Sequence, residues 1–218
     1  MRRKFLLLLS LAALPLLPLE AQAADPLWLK TLAHLEAQKQ VVPDESSTRI
    51  EATSNYTDTT LTRRKLDHWE GSKPIYRITA AEPPLAPGDA ERENQNQQIS
   101  ETLGRGQDWL SPDTPVRRSE GVALDGQSWT LFEAEDKSFT RKVLLRAWVD
   151  PETGRPHRID IQGRFVMVIQ LDVSSRYQTD ARGRSLAQNV AGTLKVDTLG
   201  KGMNLRFDIA VDSWAERP

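Results

Sequence analysis

Cysteine is absent from all 218 residues. That excludes disulfides, thiol nucleophiles, Cys-ligated zinc and a lipid attached to a cysteine. Histidine is scarce: His34, His68 and His157 are the three, and no H-x-x-x-H or H-E-x-x-H spacing pairs them on a helix. A G-x-S-x-G nucleophile elbow and a G-x-x-x-x-G-K-[ST] phosphate loop are both missing. A basic surplus is missing as well, with 29 Lys and Arg against 30 Asp and Glu. Nothing in that balance attracts nucleic acid. The clusters Arg63-Arg64-Lys65 and Arg117-Arg118 read as solvated strand ends. No catalytic residue, metal site or cofactor is expected, and the chain reads as a non-enzymatic protein. A hydrolase assembled from distant residues is the third-ranked alternative.

Long apolar runs are also missing, with one exception at the N-terminus. Arg2, Arg3 and Lys4 precede an apolar stretch over 5–19, and Ala21-Gln22-Ala23 presents small residues where a signal peptidase cuts. Pro15, Pro18 and Glu20 make the stretch a poor membrane anchor, since a spanning helix needs roughly 20 apolar residues. Residues 1–23 are therefore expected to be a cleaved signal peptide, and the mature protein to be periplasmic with no integral membrane segment. Cleavage removes three basic residues and one acidic residue, leaving 26 against 29. An exported chain without disulfides must bury a sufficient apolar core, and 24–218 is long enough to do so as one domain.

What is present is mostly strand. One helix is expected first, with Asp25 as its N-cap and Pro26 at its first position. Leu27, Trp28, Leu32 and Leu35 follow at helical spacing, and Pro43 stops the helix by position 42. Beyond it, period-two alternation dominates. Ile50, Ala52, Ser54 and Tyr56 share a face; a turn falls at Glu70-Gly71-Ser72; Asp125-Gly126 signals a two-residue hairpin. Phe165, Met167, Ile169, Leu171 and Val173 line one face of a strand. Met203, Leu205, Phe207, Ile209 and Val211 line another. Alternation of this kind belongs to antiparallel sheets with one covered face, and no βαβ rhythm appears. The polar stretch 82–115, with Gly88 and several prolines, interrupts the sheet as a loop, with a polar helix expected over 89–103. The fold class is α+β and mostly antiparallel β. A curved sheet with too few helices to cover it must curl on itself or enclose a cavity.

The turn within 145–163, LRAWVDPETGRPHRIDIQG, gathers Asp150, Glu152, His157 and Asp160. It lacks the alternating oxygen ligands of a calcium loop. A hairpin accounts for more of its residues than a site does. Ala147 then opposes Ile159, Leu145 opposes Ile161, Trp148 opposes Arg158 and Arg146 opposes Asp160, with Val149 opposite His157. Gly154 takes the left-handed turn position.

A signal peptide, one amphipathic helix, a Thr/Ser-rich strand, and later the hairpin AWVDPETGRPHRIDI over 147–161 and the strand end SRYQTDARGRSL follow in that order. The arrangement resembles the LolA/RseB-like group of periplasmic proteins, which includes the outer-membrane lipoprotein carrier. The resemblance implies a curved half-barrel with helices and the 82–115 insertion over its concave apolar face. It also implies a carrier that shelters a lipid or a lipoprotein acyl chain. Phe165, Met167, Ile169, Leu171, Met203, Leu205, Phe207, Ile209 and Val211 would line the cavity. The alternative is a structural or sensory domain that meets an envelope protein partner and holds no small ligand. The same residues are then closed core.

Overall fold

A computed structural model of the chain describes residues 25–53, 57–86, 110–137, 141–165, 168–198 and 201–218. The expected signal peptide, Ser54 and Tyr56 of the expected strand face, the helix expected over 89–103, and Met167 lie outside the described residues. Helix α1 spans Pro26–Gln38, with Asp25 at its N-cap and Pro26 in its first turn, as the sequence predicts. The Asp25 carboxylate accepts the backbone N–H groups of Leu27 (2.8 Å) and Trp28 (3.2 Å), which no carbonyl of the helix can reach. Among the described residues no helix is long and apolar enough to cross a membrane.

Ten strands follow: β1 (Val41–Thr53), β2 (Thr57–Glu70), β3 (Lys73–Glu82), β4 (Val116–Leu124), β5 (Gln127–Lys137), β6 (Arg141–Val149), β7 (Pro156–Phe165), β8 (Ile169–Thr179), β9 (Ser185–Thr198) and β10 (Lys201–Glu216). They form one antiparallel sheet in the order β3-β2-β1-β10-β9-β8-β7-β6-β5-β4. The sheet is curved and unclosed. Two meanders, β1 to β3 and β4 to β10, are joined where the C-terminal strand lies against the first. Val41 pairs with Glu216, Ile50 with Phe207 and Thr53 with Asn204. The edge strands β3 and β4 are consecutive in sequence, and residues 87–109 of the insertion expected between them lie outside the described residues.

The register puts one set of residues from all ten strands on the face that carries α1. A single cross-strand row runs Ile159, Ser175, Val190, Ile209, Thr48, Thr62 from β7 to β2. Helix α1 covers the β5–β9 part of this concave face. Its Leu27, Trp28 and Leu35 pack with Phe132, Leu145, Ala147, Val149, Ile159 and Tyr177. The Trp28 and Phe132 rings meet at 5.3 Å, tilted by 57°. Each fully buried side chain of this size contributes roughly 1.5–3 kcal/mol.

The hairpin around the VDPETG turn supports that helix from below. Its pairs are Leu145–Ile161, Arg146–Asp160, Ala147–Ile159 and Trp148–Arg158, the predicted register. The prediction fails at one pair. A bulge after Trp148 sets Val149 against Pro156 instead of His157. The Asp150 carboxylate accepts the N–H groups of Glu152 and Thr153 (3.1 and 2.7 Å) and the Thr153 hydroxyl (2.7 Å). Gly154 then adopts φ +72° directly beneath α1. A Cβ there would stand 2.9 Å from Lys30 Cβ and 3.0 Å from the Leu27 carbonyl oxygen. Thr31 donates its hydroxyl to the Gly154 carbonyl (3.0 Å), and Lys30 Nζ donates to that of Glu152 (3.1 Å). The turn is a seat for the helix.

Candidate functional site: the concave face beyond the helix

Past the footprint of α1, the concave face continues over β7 to β10 and onto β1. Leu171, Val173, Phe207 and Ile209 form its buried floor, with Ile50, Phe165, Val190, Leu194 and Leu205 half-buried around them. Two glycines shape this floor. A Cβ on Gly163 would lie 2.7 Å from the Phe165 ring, and one on Gly192 would lie 2.5 Å from the Phe207 ring. Both rings therefore lie over backbone that carries no side chain, a packing that bends a sheet and rescues strand glycines.

Eight of the nine residues predicted to line a cavity fall among the described residues, and the alternation places those eight on this face. Leu171, Phe207, Ile209 and Val211 are buried, Phe165, Ile169 and Leu205 are half-buried, and Met203 is 40 % exposed. Burial thus declines along β10, from Ile209 at 2 % to Met203 at the far end. Beneath α1 the face is closed, since Trp28, Phe132, Leu145 and Val149 have no measurable exposure. The apolar strip that lies beyond the helix runs over β7 to β10.

One polar group on this face departs from the solvated position expected of it. Arg63 and Lys65 are exposed, as expected of solvated strand residues, but Arg64 between them is only 2 % exposed. The cause is the strand period, which turns Thr62 and Arg64 inward while their neighbours turn out. Three consecutive basic residues look like a solvated run unless the count is carried from Thr62. Arg64 Nε donates to the Ser46 hydroxyl (2.9 Å), and its guanidinium stacks on the Tyr76 ring at 4.3 Å. Tyr76 in turn donates to the Pro43 carbonyl (3.0 Å). Ser46, Thr48, Thr62 and Arg64 give the β1–β2 side of the face a polar, hydroxyl-rich character beside the apolar β7–β10 strip.

The turn residues that raised a catalytic question are dispersed. His157 stacks on Trp129 (4.3 Å, 7°) and stands 3.4 Å from Asp125, while Asp160 is held by Arg158 at 2.8 and 2.9 Å. The predicted pairing of Trp148 with Arg158 sets the Arg158 guanidinium 5.6 Å over the Trp148 ring. Arg146, opposite Asp160 in register, bonds Glu133 instead (3.1 Å). Among the described residues no three acidic or histidine side chains are grouped to hold a metal ion. Burial alone would raise the Asp150 carboxyl. The Thr153 and Glu152 donors and the charge of Arg155 outweigh it and hold the carboxyl below its ordinary value. That keeps Asp150 an acceptor for its turn.

A second concavity, of about 290 Å³, lies between α1 and the segment after 109, lined by Leu32, Leu35, Glu36, Lys39, Leu110 and Pro112 among others. Among the described residues its lining carries one ion pair, that of Glu36 with Lys39 (2.8 Å).

The chain matches no protein-family model. No curated protein matches it either. Among solved structures it is similar to a DUF1329 family protein from Desulfovibrio piger ATCC 29098, at 11 % identity and a TM-score of 0.33. The match covers 87 % of this chain and 93 % of that one. A likeness of that strength assigns no function. What the chain's own structure defines is a one-helix, ten-strand antiparallel sheet with an apolar concave face.

Proposed function

We propose that the protein is a non-enzymatic periplasmic binding or carrier module that shelters a lipid or acyl chain against the concave face of its sheet. The observation that carries this reading is the strip Phe165, Ile169, Leu171, Leu205 and Phe207, which continues past α1 and grades from buried to exposed at Met203. Apolar burial contributes about 25 cal/mol per Å², so an acyl chain is retained there without any charged contact. The N-terminal signal-like stretch supports export, and the order of elements resembles the lipoprotein-carrier half-barrels.

Solvent extraction of the purified protein followed by mass spectrometry tests the reading, together with displacement of a fluorescent fatty acid. The expected result is a co-purifying amphiphile. Leu205→Glu, which sets a charge on the strip, should weaken probe binding at least tenfold while circular dichroism stays that of a folded sheet. A protein that never carries lipid and does not bind the probe sinks the reading. The interaction-domain alternative, which the closed packing beneath α1 favours, would then take its place.

A further inference from the structure

The end of the sheet away from α1 combines two features that globular surfaces usually keep apart. Val168 and Met203 are each 40 % exposed there. They are close in the fold. Asp197 of β9 donates its N–H to the Val168 carbonyl (2.8 Å), and Met203 pairs with Val196, the residue before Asp197. Ile169, which also pairs with Val196, is half-buried beside them. An apolar lip therefore terminates the strip described above.

On the opposite face of the same strands, one residue back from the lip, a cross-strand row runs Lys142, Arg164, Gln170, Lys195 and Asn204. Arg164 and Lys195 are exposed, and among the described residues neither forms an ion pair. Lys142 is engaged by Glu135 at 3.2 Å. The acid Asp197 is turned toward β10, where a Cβ on Gly202 would meet its Oδ1 at 3.2 Å. The chain as a whole carries a formal charge of −1, so unpaired cations beside the lip are a local feature and not a general excess. Exposed apolar side chains bordered by cations fit a surface that is apolar within and anionic at its boundary.

We propose that this lip docks the protein on an anionic lipid bilayer, with Val168 and Met203 entering the interface and Arg164 and Lys195 lying against the headgroups. The inference goes beyond the carrier reading and stands whether or not the strip holds a ligand. The test is co-sedimentation of the purified protein with vesicles of phosphatidylcholine alone and of phosphatidylcholine mixed with phosphatidylglycerol. The expected result is binding to the anionic vesicles that weakens with salt. A basic residue near an anionic surface contributes about 1 kcal/mol, so Arg164→Gln and Lys195→Gln should each lower partitioning roughly fivefold. Val168→Asp combined with Met203→Asp should abolish it. Both positions are exposed, and a circular dichroism spectrum unchanged by the substitutions separates lost docking from lost folding. Failure of the wild-type protein to bind anionic vesicles overturns the proposal. So does binding that the four substitutions leave unchanged. A photo-crosslinker at 168 that captures an envelope protein, with no vesicle binding, would assign the lip to a protein partner and equally overturn it. Probe binding by the wild-type protein and by Arg164→Gln and Lys195→Gln, whose side chains lie on the face opposite the strip, reports on the carrier reading separately.

Discussion

Single residues of this chain matter through where the strand and helix periods aim them. Gly154 is required twice, by its left-handed φ of +72° and by the backbone of α1 3.0 Å away. Gly71 also has a positive φ, +59°, but no atom lies within 4 Å of a Cβ placed on it. Gly71→Ala is expected to cost about 1–2 kcal/mol, the ordinary strain of that conformation. Gly154→Ala should cost more, because the helix must also move, and chemical denaturation of the two variants measures the difference. The seat of the helix at Gly154 was half legible. The turn conformation follows from the residue type, whereas its contact with Lys30, 124 positions earlier, does not. Arg64 is a similar case, as its inward orientation depends on which strand residue is counted first.

At the scale of elements, α1 is held by its cap as well as by its apolar stripe. Burial would raise the Asp25 carboxyl. The N–H groups of Trp28 and Leu27 and the Arg118 guanidinium at 3.1 Å together hold it below its ordinary value of 3.8. A lowered folded value means that the ionised cap stabilises the protein fully above the unfolded value. That contribution is lost as the pH falls through the folded one. Acid titration followed by Trp28 fluorescence should therefore show α1 loosening below about pH 4, and Asp25→Asn should flatten that step. Asp25→Ala removes the cap at all pH values and should cost about 0.5–2 kcal/mol. The two edge strands show a different constraint. In β4, Gly121 (φ +68°) lies in a bulge between Ser119 and Val122, and β3 carries Pro74 and a bulge between its pairs with Arg63 and Arg64. Bulges, proline and flanking Arg and Lys residues are what keep the edges of an open sheet from pairing with another chain. The helix cap, the Asp125-Gly126 hairpin (φ 52° and 79°) and the VDPETG turn were all legible, because each depends on neighbours in sequence.

For the whole molecule, the decisive contact joins the ends of the chain. Strand β10 pairs with both β9 and β1, so it unites the three-stranded and the six-stranded parts of the sheet. Removing residues 201–218 should leave no cooperative unfolding transition for the β1–β3 part, which on its own has little face to bury. A truncated protein that unfolds in one step at the wild-type midpoint would contradict this. Pairing of such sequence separation also predicts slow folding, on the millisecond-to-second scale of non-local β-proteins, measurable by stopped-flow fluorescence. The sequence by itself determined the local features: the N-cap, the strand alternation, the hairpin register from Leu145 to Ile161, and the antiparallel, one-sided character of the sheet. These depend on residue spacing and turn chemistry, which are short-range. Only the tertiary structure decided that β1 lies against β10, that α1 closes the β5–β9 part of the face and leaves the Phe165–Met203 side beyond it, and that Arg64 is buried. Each of these depends on which strands become neighbours and on the curvature that brings their inner faces together, and the residue period does not encode that choice.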